Sequence, residues 1–513
     1  EEAYQQRFAN FRAFFQDFTQ AVYPQNRAEQ FTLHRLPGMP VVVTGFNSCD
    51  LNDHERSSGR IHSAAIAAAS EQLADFDGYR LAVWHHDLNW RQTQSPDYLG
   101  VDSLRQLSQR TFNLGLVGHT HRPASNNACT LEGHALPIRG GVTIDMGNMK
   151  KLLDVAAEDL YAVVQPGITR EELNTELRAT GLFFPVDPGA NATLGGMTAT
   201  SASGTTTVRY GKMKENVMAL EVVLADGRII RTGSKAKKSS AGYDLTSIFV
   251  GSEGTLGIIT EITLKLQGQP EAISAAVCEF PDATSAVNSV IMAVQMGLPM
   301  ARMEFVDPMS IKALNDYSDL SMKICPHLFM EFHGSEVAVA ETVERMKEIT
   351  EEMGGGGFQW ASKAEDRSKL WHARHNAYFA MKAQKPGTQG ISTDICVPIS
   401  KLAQAMDETI ADVEAHGWQA PIVGHVGDGN FHVLFLFDRE NEADFALAKD
   451  LTSRMNMRAL ALGGTVTGEH GIGVGKMKYL EAEHGEAVHV MADIKRAFDP
   501  TGIMNPGKIV NLN

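Results

Sequence analysis

Four residues near the C-terminus, His425, His432, Glu469 and His470, have the types and spacing of a metal-assisted acid–base centre. They lie in two short stretches, GHVGDGNFH (424–432) and GEHGIGVGK (468–476). The first reads as a hairpin, PIVGHVG followed by NFHVLFLF, and Asp428-Gly429 suits a two-residue turn because both central positions tolerate positive φ. Centred there, the turn opposes Gly427 to Asn430, Val426 to Phe431 and His425 to His432. Directly opposed side chains stand roughly 4.5–5.5 Å apart on one face of a ladder. Two neutral imidazoles so placed can share a divalent cation, zinc or manganese, and Glu469 can add an oxygen ligand. His470 is then left to move a proton beside the metal, since an imidazole pKa of about 6.5 suits a base near neutrality. The competing reading is a plain hairpin carrying two incidental histidines. The second His/Glu cluster, in its own glycine-rich loop, favours the metal. GIGVGK itself is no Walker-type phosphate loop, because it lacks the first glycine spacing and a following Ser or Thr.

With 513 residues, 43% hydrophobic and 21% charged, the chain has the composition of an ordinary globular protein of two or three domains. A net charge of −15 and the lack of any basic run speak against a nucleic-acid partner. The five cysteines, Cys49, Cys129, Cys278, Cys325 and Cys396, are scattered without a CxxC pair, which fits reduced thiols. The opening EEAYQQRFANFRAFFQDF reads as a polar amphipathic helix rather than a signal peptide, and no stretch is apolar enough to span a membrane. A cytoplasmic protein is expected, with peripheral contact at the inner membrane left open.

Three segments differ in character. In residues 1–125, apolar runs at 41–48, 80–88 and 114–123 read as strands around a helix near 60–75, and the last two end in histidines. Residues 126–267 hold strand-like runs at 160–167, 219–227 and 247–266, separated by the glycine-rich FFPVDPGANATLGGMTATSASGTTTVRYG (183–211). No GxGxxG joins strand to helix there, so a nicotinamide-type fold is not indicated. The loop's small residues expose backbone N–H groups, as in a nest for pyrophosphate; a plain surface loop is the alternative. Residues 268–513 alternate strands with amphipathic helices, as at 277–297 and 327–349, which predicts a sheet covered by helices.

Two resemblances sharpen this reading. VWHHDL and GHTH resemble the last two ligand motifs of calcineurin-like metallophosphoesterases, which implies His85, His119 and His121 as metal ligands. The three earlier motifs of that family do not appear upstream. DPGANATLGGMTATSASG, RYG, VVLADGR and VGSEGTLGIIT resemble the flavin domain of the vanillyl-alcohol-oxidase type. The nearest likeness is to flavoprotein D-lactate dehydrogenases and glycolate oxidase catalytic subunits. It implies Pro188, Gly189, Gly195, Gly196, Gly204, Glu253, Gly257 and Ile259 as FAD contacts. That family opens its flavin domain with a β-rich subdomain ending in a Gly-x-Gly-Thr-Ser turn. Here the matching positions read Asn126, Asn127, Ala128, Cys129 and Thr130, so the domain is N-terminally incomplete and weakened FAD binding is expected.

LWHARHNAYFA (370–380), STDICVPIS (392–400), GHVGDGNFH, GEHGIGVGK and MNPGK (504–508) resemble the C-terminal domain of FAD-linked oxidases. The chemistry this implies is oxidation of a D-2-hydroxy acid, D-lactate above all. Arg374 would clamp the substrate carboxylate, unless it is a surface helix arginine. The metal on His425, His432 and Glu469 would acidify the 2-hydroxyl, and His470 would take its proton as hydride passes to FAD. Asn430 would add a hydrogen bond near the metal, and Asn505 a contact to the flavin ring. The electron acceptor would be external: a cytochrome, a quinone or an electron-transfer flavoprotein. The expected fold is α+β: a vanillyl-alcohol-oxidase-type FAD domain, then a ferredoxin-like α+β substrate domain, preceded by an α/β metallophosphoesterase-like fragment. Phosphoesterase activity of the first segment, or an inactive fused chain, are the alternatives.

Overall fold

The computed structural model of the protein describes residues 31–35, 41–46, 63–73, 79–84, 87–88, 98–99, 114–117, 132, 134, 138, 144–438 and 440–512. The chain forms two units. One comprises Glu1–Thr130, Ala135–Lys150 and Asn505–Gly507; the other comprises Leu131–His134, Lys151–Met504 and Lys508–Asn513.

In the first unit the apolar runs supply strands β2 (Val41–Phe46), β3 (Tyr79–Trp84) and β4 (Leu114–Val117), paired in parallel in that order. Strand β1 (Phe31–Arg35) joins β2 antiparallel. Helix α1 (Ser63–Gln72) falls within the stretch expected to be helical and buries Ala65, Ile66 and Ala69. Parallel strands need such crossovers. His85, His119 and His121 lie outside the described residues, as do the N-terminal amphipathic stretch and the 126–130 turn.

The second unit contains two large sheets, besides a two-stranded ladder of Leu182–Phe183 with Gln267–Gly268. The smaller is antiparallel and has the order Ile229–Gly233 (β8), Val217–Val223 (β7), Ile258–Lys265 (β9), Tyr161–Val164 (β6) and Leu152–Ala156 (β5). The 247–266 run is strand only from Ile258. Its start belongs to a short helix, Leu245–Phe249, because the Asp244 carboxylate caps the N–H of Ser247. The glycine-rich segment folds partly into helix α2 (Leu194–Thr200), capped by Thr193.

The larger sheet is also antiparallel. Its first four strands are Ala272–Glu279 (β10), Met300–Val306 (β11), His327–Gly334 (β12) and Gly356–Ala361 (β13), lying in the order β13-β10-β12-β11. That is the strand order of a βαββαβ unit, with helices α3 (Ala283–Gln295) and α5 (Glu336–Glu352) as crossovers and α4 (Pro308–Ser318) added between β11 and β12. The sheet continues from β11 through Ile422–His425 (β16) and Asn430–Phe437 (β17) to Gln389–Ser392 (β14), and the short β15 (Ile395–Cys396) also pairs with β17.

Both faces of this sheet are covered. On one side Phe305, Phe431 and Phe435 pack with Val290 of α3, Met346 of α5, Met406 of α7 (Leu402–Ala415) and Met455 of α8 (Glu442–Ala461). On the other, Val306, Phe329, Val423 and Leu434 pack with Leu314 of α4 and Trp371 of α6 (Ala364–His375). Strand alternation therefore sends Glu304, His425, Asn430 and His432 to the second face, where their polar groups interrupt the apolar layer.

The hairpin differs from the sequence expectation. His425 pairs with Asn430, Gly424 with Phe431 and Val423 with His432, so the loop is four residues long and not two. Val426–Asp428 form a 3-10 turn, and Gly429 closes it at φ 81°. The cause is non-local: β15 pairs with Asn430 and Phe431, and Val397 donates its N–H to the Gly429 carbonyl at 3.0 Å. His425 and His432 still share a face, but as diagonal neighbours with ring centroids 5.3 Å apart. A Cβ on Gly429 would stand 2.1 Å from the Val397 carbonyl oxygen, in backbone that L-residues avoid. Gly429→Ala is therefore expected to cost about 2 kcal/mol or more, lowering the calorimetric thermal midpoint by several degrees; an unchanged midpoint would contradict this account of the turn.

Candidate active site

Across the second face of the larger sheet, Glu304, His425 and Asn430 stand opposite one another on three adjacent strands. Glu304 is completely buried. One of its oxygens faces Nδ1 of His425 at 2.7 Å and the other accepts from Nη2 of Arg374 at 2.6 Å. Arg374, in the last turn of α6, is 7% exposed, so it is not a surface helix arginine. Its Nε is buried without a hydrogen-bond partner among the described residues.

The tautomers follow from these contacts. His432 donates its Nδ1–H to the carbonyl of Thr393 at 2.7 Å, which leaves Nε2 as a lone pair. His425, donating Nδ1–H to Glu304, turns Nε2 inward as well. Both Nε2 atoms lie 3.3 Å from the same oxygen of Glu469. Burial would raise the Glu469 pKa, but His425 and His432 beside it lower it further, and the carboxylate is held ionised. Burial likewise lowers the His425 pKa, yet Glu304 and Glu469 on either side outweigh it and hold it well above the usual imidazole value. This pocket demands positive charge. Two ligands of a tetrahedral ion at roughly 2.1 Å each stand about 3.4 Å apart, so each of these nitrogen–oxygen spacings suits a pair of ligands to one divalent cation. The orienting carboxylate and carbonyl behind the imidazoles are those a metal site needs.

Ligand atoms of Asp394, His432, Glu469 and His470 also lie within 4.8 Å of one another. Asp394, however, is already engaged. One of its oxygens accepts from Thr467 Oγ1 at 2.7 Å, His470 N at 2.8 Å and Glu469 N at 3.0 Å; the other accepts from Asn430 Nδ2 at 3.0 Å. Burial alone would raise its pKa, but His470, Lys476 and His432 around it press it far below the carboxylate range. Asp394 is an anchor for the loop that carries Glu469 and His470.

His470 stacks on His432, with centroids 5.2 Å apart and planes at 14°. Its Nδ1 lies 3.9 Å from Asp394 and its Nε2 3.9 Å from Glu469. Burial pushes its pKa down to about 4, more than Asp394 can restore, so the ring is neutral at neutral pH. Asn430 gives both amide hydrogens to Asp394 and the Ile395 carbonyl, leaving its Oδ1 buried with no hydrogen-bond partner among the described residues.

The residues expected to touch FAD have structural duties of their own. A Cβ on Gly195 would stand 2.4 Å from Pro166 Cβ, one on Gly204 1.9 Å from the Asp187 carbonyl oxygen, and one on Gly257 2.6 Å from Val222 Cγ1. Gly196 N is the donor in the Thr193 cap, and Ile259 pairs with Val222 in the smaller sheet. Pro188 is half-buried and Gly189 exposed at the start of the glycine-rich loop. Glu253 clamps the loop that carries Glu469 and His470, accepting from Ile472 N at 2.6 Å and Gly473 N at 2.8 Å. Its burial pushes its pKa up to about 7 against those bonds. Asn505, at φ 39°, falls in the other unit. Ser203, from the glycine-rich loop, donates to the second oxygen of Glu469 at 3.0 Å. Glu304, Asp394 and Ser203 were not singled out from sequence. An acidic residue inside the apolar runs MARMEFV and STDICV was the available signal for the first two.

Comparison with known proteins agrees with this architecture. The family described as FAD binding domain matches residues 118–233, and that described as FAD linked oxidases, C-terminal domain, matches residues 269–509. Neither match reaches residues 1–117, so neither supports the phosphoesterase reading of the first segment. A probable mitochondrial D-lactate dehydrogenase of Danio rerio is 50% identical over 386 residues, 74% of this chain and 78% of that protein. The mitochondrial D-lactate dehydrogenase (cytochrome) of Arabidopsis thaliana is 43% identical, over 75% of this chain and 68% of its own. Among solved structures, p-cresol methylhydroxylase with substrate bound aligns with a TM-score of 0.58 at 14% identity, covering 80% of this chain and 87% of that one, a likeness of fold. The chain belongs to the FAD-linked oxidase family.

Proposed function

We propose that the chain oxidises a D-2-hydroxy acid, D-lactate first, to the 2-oxo acid, and passes the electrons to an external acceptor. The observation that carries this is the convergence of His425 Nε2, His432 Nε2 and a Glu469 oxygen beside a neutral His470. The names of the two relatives support D-lactate as substrate, and that of the plant relative favours a cytochrome over a quinone or flavoprotein acceptor. No helix among the described residues is long and apolar enough to cross a membrane.

FAD, when bound, supplies the acceptor for the hydride leaving C2. His425, His432 and Glu469 would hold a divalent ion, which would supply Lewis acidity to lower the pKa of the 2-hydroxyl. Arg374 presents its unpartnered Nε edge to the substrate carboxylate while Glu304 holds its other side. His470 takes the hydroxyl proton at Nε2, and the Asp394 carboxylate on its Nδ1 side stabilises the imidazolium formed. Asn430 Oδ1 remains as an acceptor near the substrate. Ser203 ties the glycine-rich loop to Glu469, so this loop and the base are held in register.

His470→Asn is expected to retain FAD and metal but to lose about 10²–10⁴-fold in the rate of flavin reduction by D-lactate. Stopped-flow bleaching at an unchanged rate would remove His470 from the mechanism. His425→Ala and His432→Ala should each lower bound metal and activity together, measured by elemental analysis; full metal content in both would return the pair to structural duty. Asp394→Asn keeps the shape but removes the charge that four hydrogen bonds converge on. A loss of about 2–4 kcal/mol is expected, together with faster proteolysis within 467–473. Wild-type protease resistance would refute the anchoring role.

A further inference from the structure

A cavity of about 320 Å³ lies on the same sheet face as the candidate active site, yet its lining includes none of His425, His432, Glu469, His470, Arg374 or Glu304. We propose that this cavity is a second, non-catalytic site for a small monocarboxylate with a flat apolar body.

The placement follows from two repeats in the chain. Arg302 and Glu304 are two residues apart on β11 and therefore share a face, while Trp371 and Arg374 are one turn apart on α6. Glu304 takes Arg374, whereas the Arg302 guanidinium lies over the Trp371 ring at 4.7 Å. Arg302 also bonds Asp187 through Nη2 at 2.8 Å, and Arg170 bonds the other Asp187 oxygen at 3.0 Å. Both oxygens of Asp187 are thus engaged. Glu331 is engaged too, by His333 Nε2 at 2.8 Å, and His333 Nδ1 meets the Tyr210 hydroxyl at 2.7 Å.

Three features of the lining point to a carboxylate ligand. Arg170, Arg302 and Arg367 all line the cavity, beside the carboxylates of Asp187 and Glu331. Trp371 is 6% exposed, and its Nε1–H has no hydrogen-bond partner among the described residues. The Nε–H groups of Arg170 and Arg302 are buried in the same condition, the latter with Glu331 only at 3.3 Å and poorly aligned. Buried donors in this number are costly unless an acceptor meets them. Phe183, Phe184 and the Trp371 ring give the cavity planar apolar walls, with Thr206, Gln269 and Ser368 as further polar lining. Arginines beside aromatic walls suit an aryl monocarboxylate, which pairs with guanidinium at one end and stacks on the rings at the other. The volume lies at the small end for organic ligands.

Phenylacetate is a suitable probe because it has no 2-hydroxyl to oxidise. Equilibrium dialysis of labelled phenylacetate against the purified full chain with FAD should give one equivalent bound in the millimolar range or tighter. Excess pyruvate, which occupies the active site, should leave that binding unchanged. Trp371→Phe, which keeps the ring and removes the N–H, should weaken it about ten-fold. Ile273→Trp, which fills the cavity from its lining and removes no charged group, should abolish it. Displacement by pyruvate, equal binding by the Ile273→Trp variant, or no binding at millimolar concentration would each overturn the proposal. The Ile273 variant and the pyruvate competition decide the matter even if the Trp371 variant does not fold.

Discussion

A carboxylate buried in the middle of a sheet is among the costliest groups a fold can carry, and Glu304 is one, with no exposed surface. Its burial is tolerated because Arg374 and His425 reach it from a helix and a neighbouring strand at 2.6 and 2.7 Å. The consequence is directional. Glu304 holds Nδ1 of His425, and so turns Nε2 toward Glu469. The Thr393 carbonyl does the same for His432. Asp394 then sets the loop that presents Glu469 and His470. Remove the Glu304 contacts and Arg374 and His425 lose their shared reference point.

The same sheet face carries two arrangements of like design: an arginine paired with an acid across from α6, once at Glu304 with Arg374 and once at Arg302 with Asp187 and Trp371. The first opens on the converging imidazoles. The second opens on a cavity with its own orphan donors. The glycine-rich loop borders both, since Asp187 begins it and Ser203, near its end, binds Glu469. That loop's close packing at Gly204 against the Asp187 carbonyl explains why its sequence is rich in small residues whether or not each one touches a cofactor.

Much of this was legible in the sequence, and the parts that were not share a cause. Strand alternation put His425 and His432 on one face correctly, because the observed register differs from the expected one by two residues, and an even shift keeps the face. Their register was misread because it depends on β15 and the Val397–Gly429 hydrogen bond, contacts made by a segment some thirty residues upstream, as with Cys396 bonding the Asp428 carbonyl 32 residues away. Glu304 and Asp394 were missed for the same reason: the first meets His425 across 121 residues of chain and the second meets His470 across 76. The glycines of the 187–204 segment were legible as special, but sequence alone does not separate a glycine that admits a ligand from one that admits Pro166. In the first segment the apolar runs gave the strands, since period and length suffice there.

The central claim is that two imidazole nitrogens and one carboxylate oxygen, each aimed by a buried partner, hold a single divalent ion. X-ray absorption at the metal edge of the purified protein, loaded with manganese or zinc, tests it most directly. The account predicts one ion per chain with the outer-shell scattering of two imidazoles and a first shell completed by oxygen. A protein that binds no stoichiometric ion, or one whose ion shows only oxygen neighbours without imidazole scattering, would contradict it.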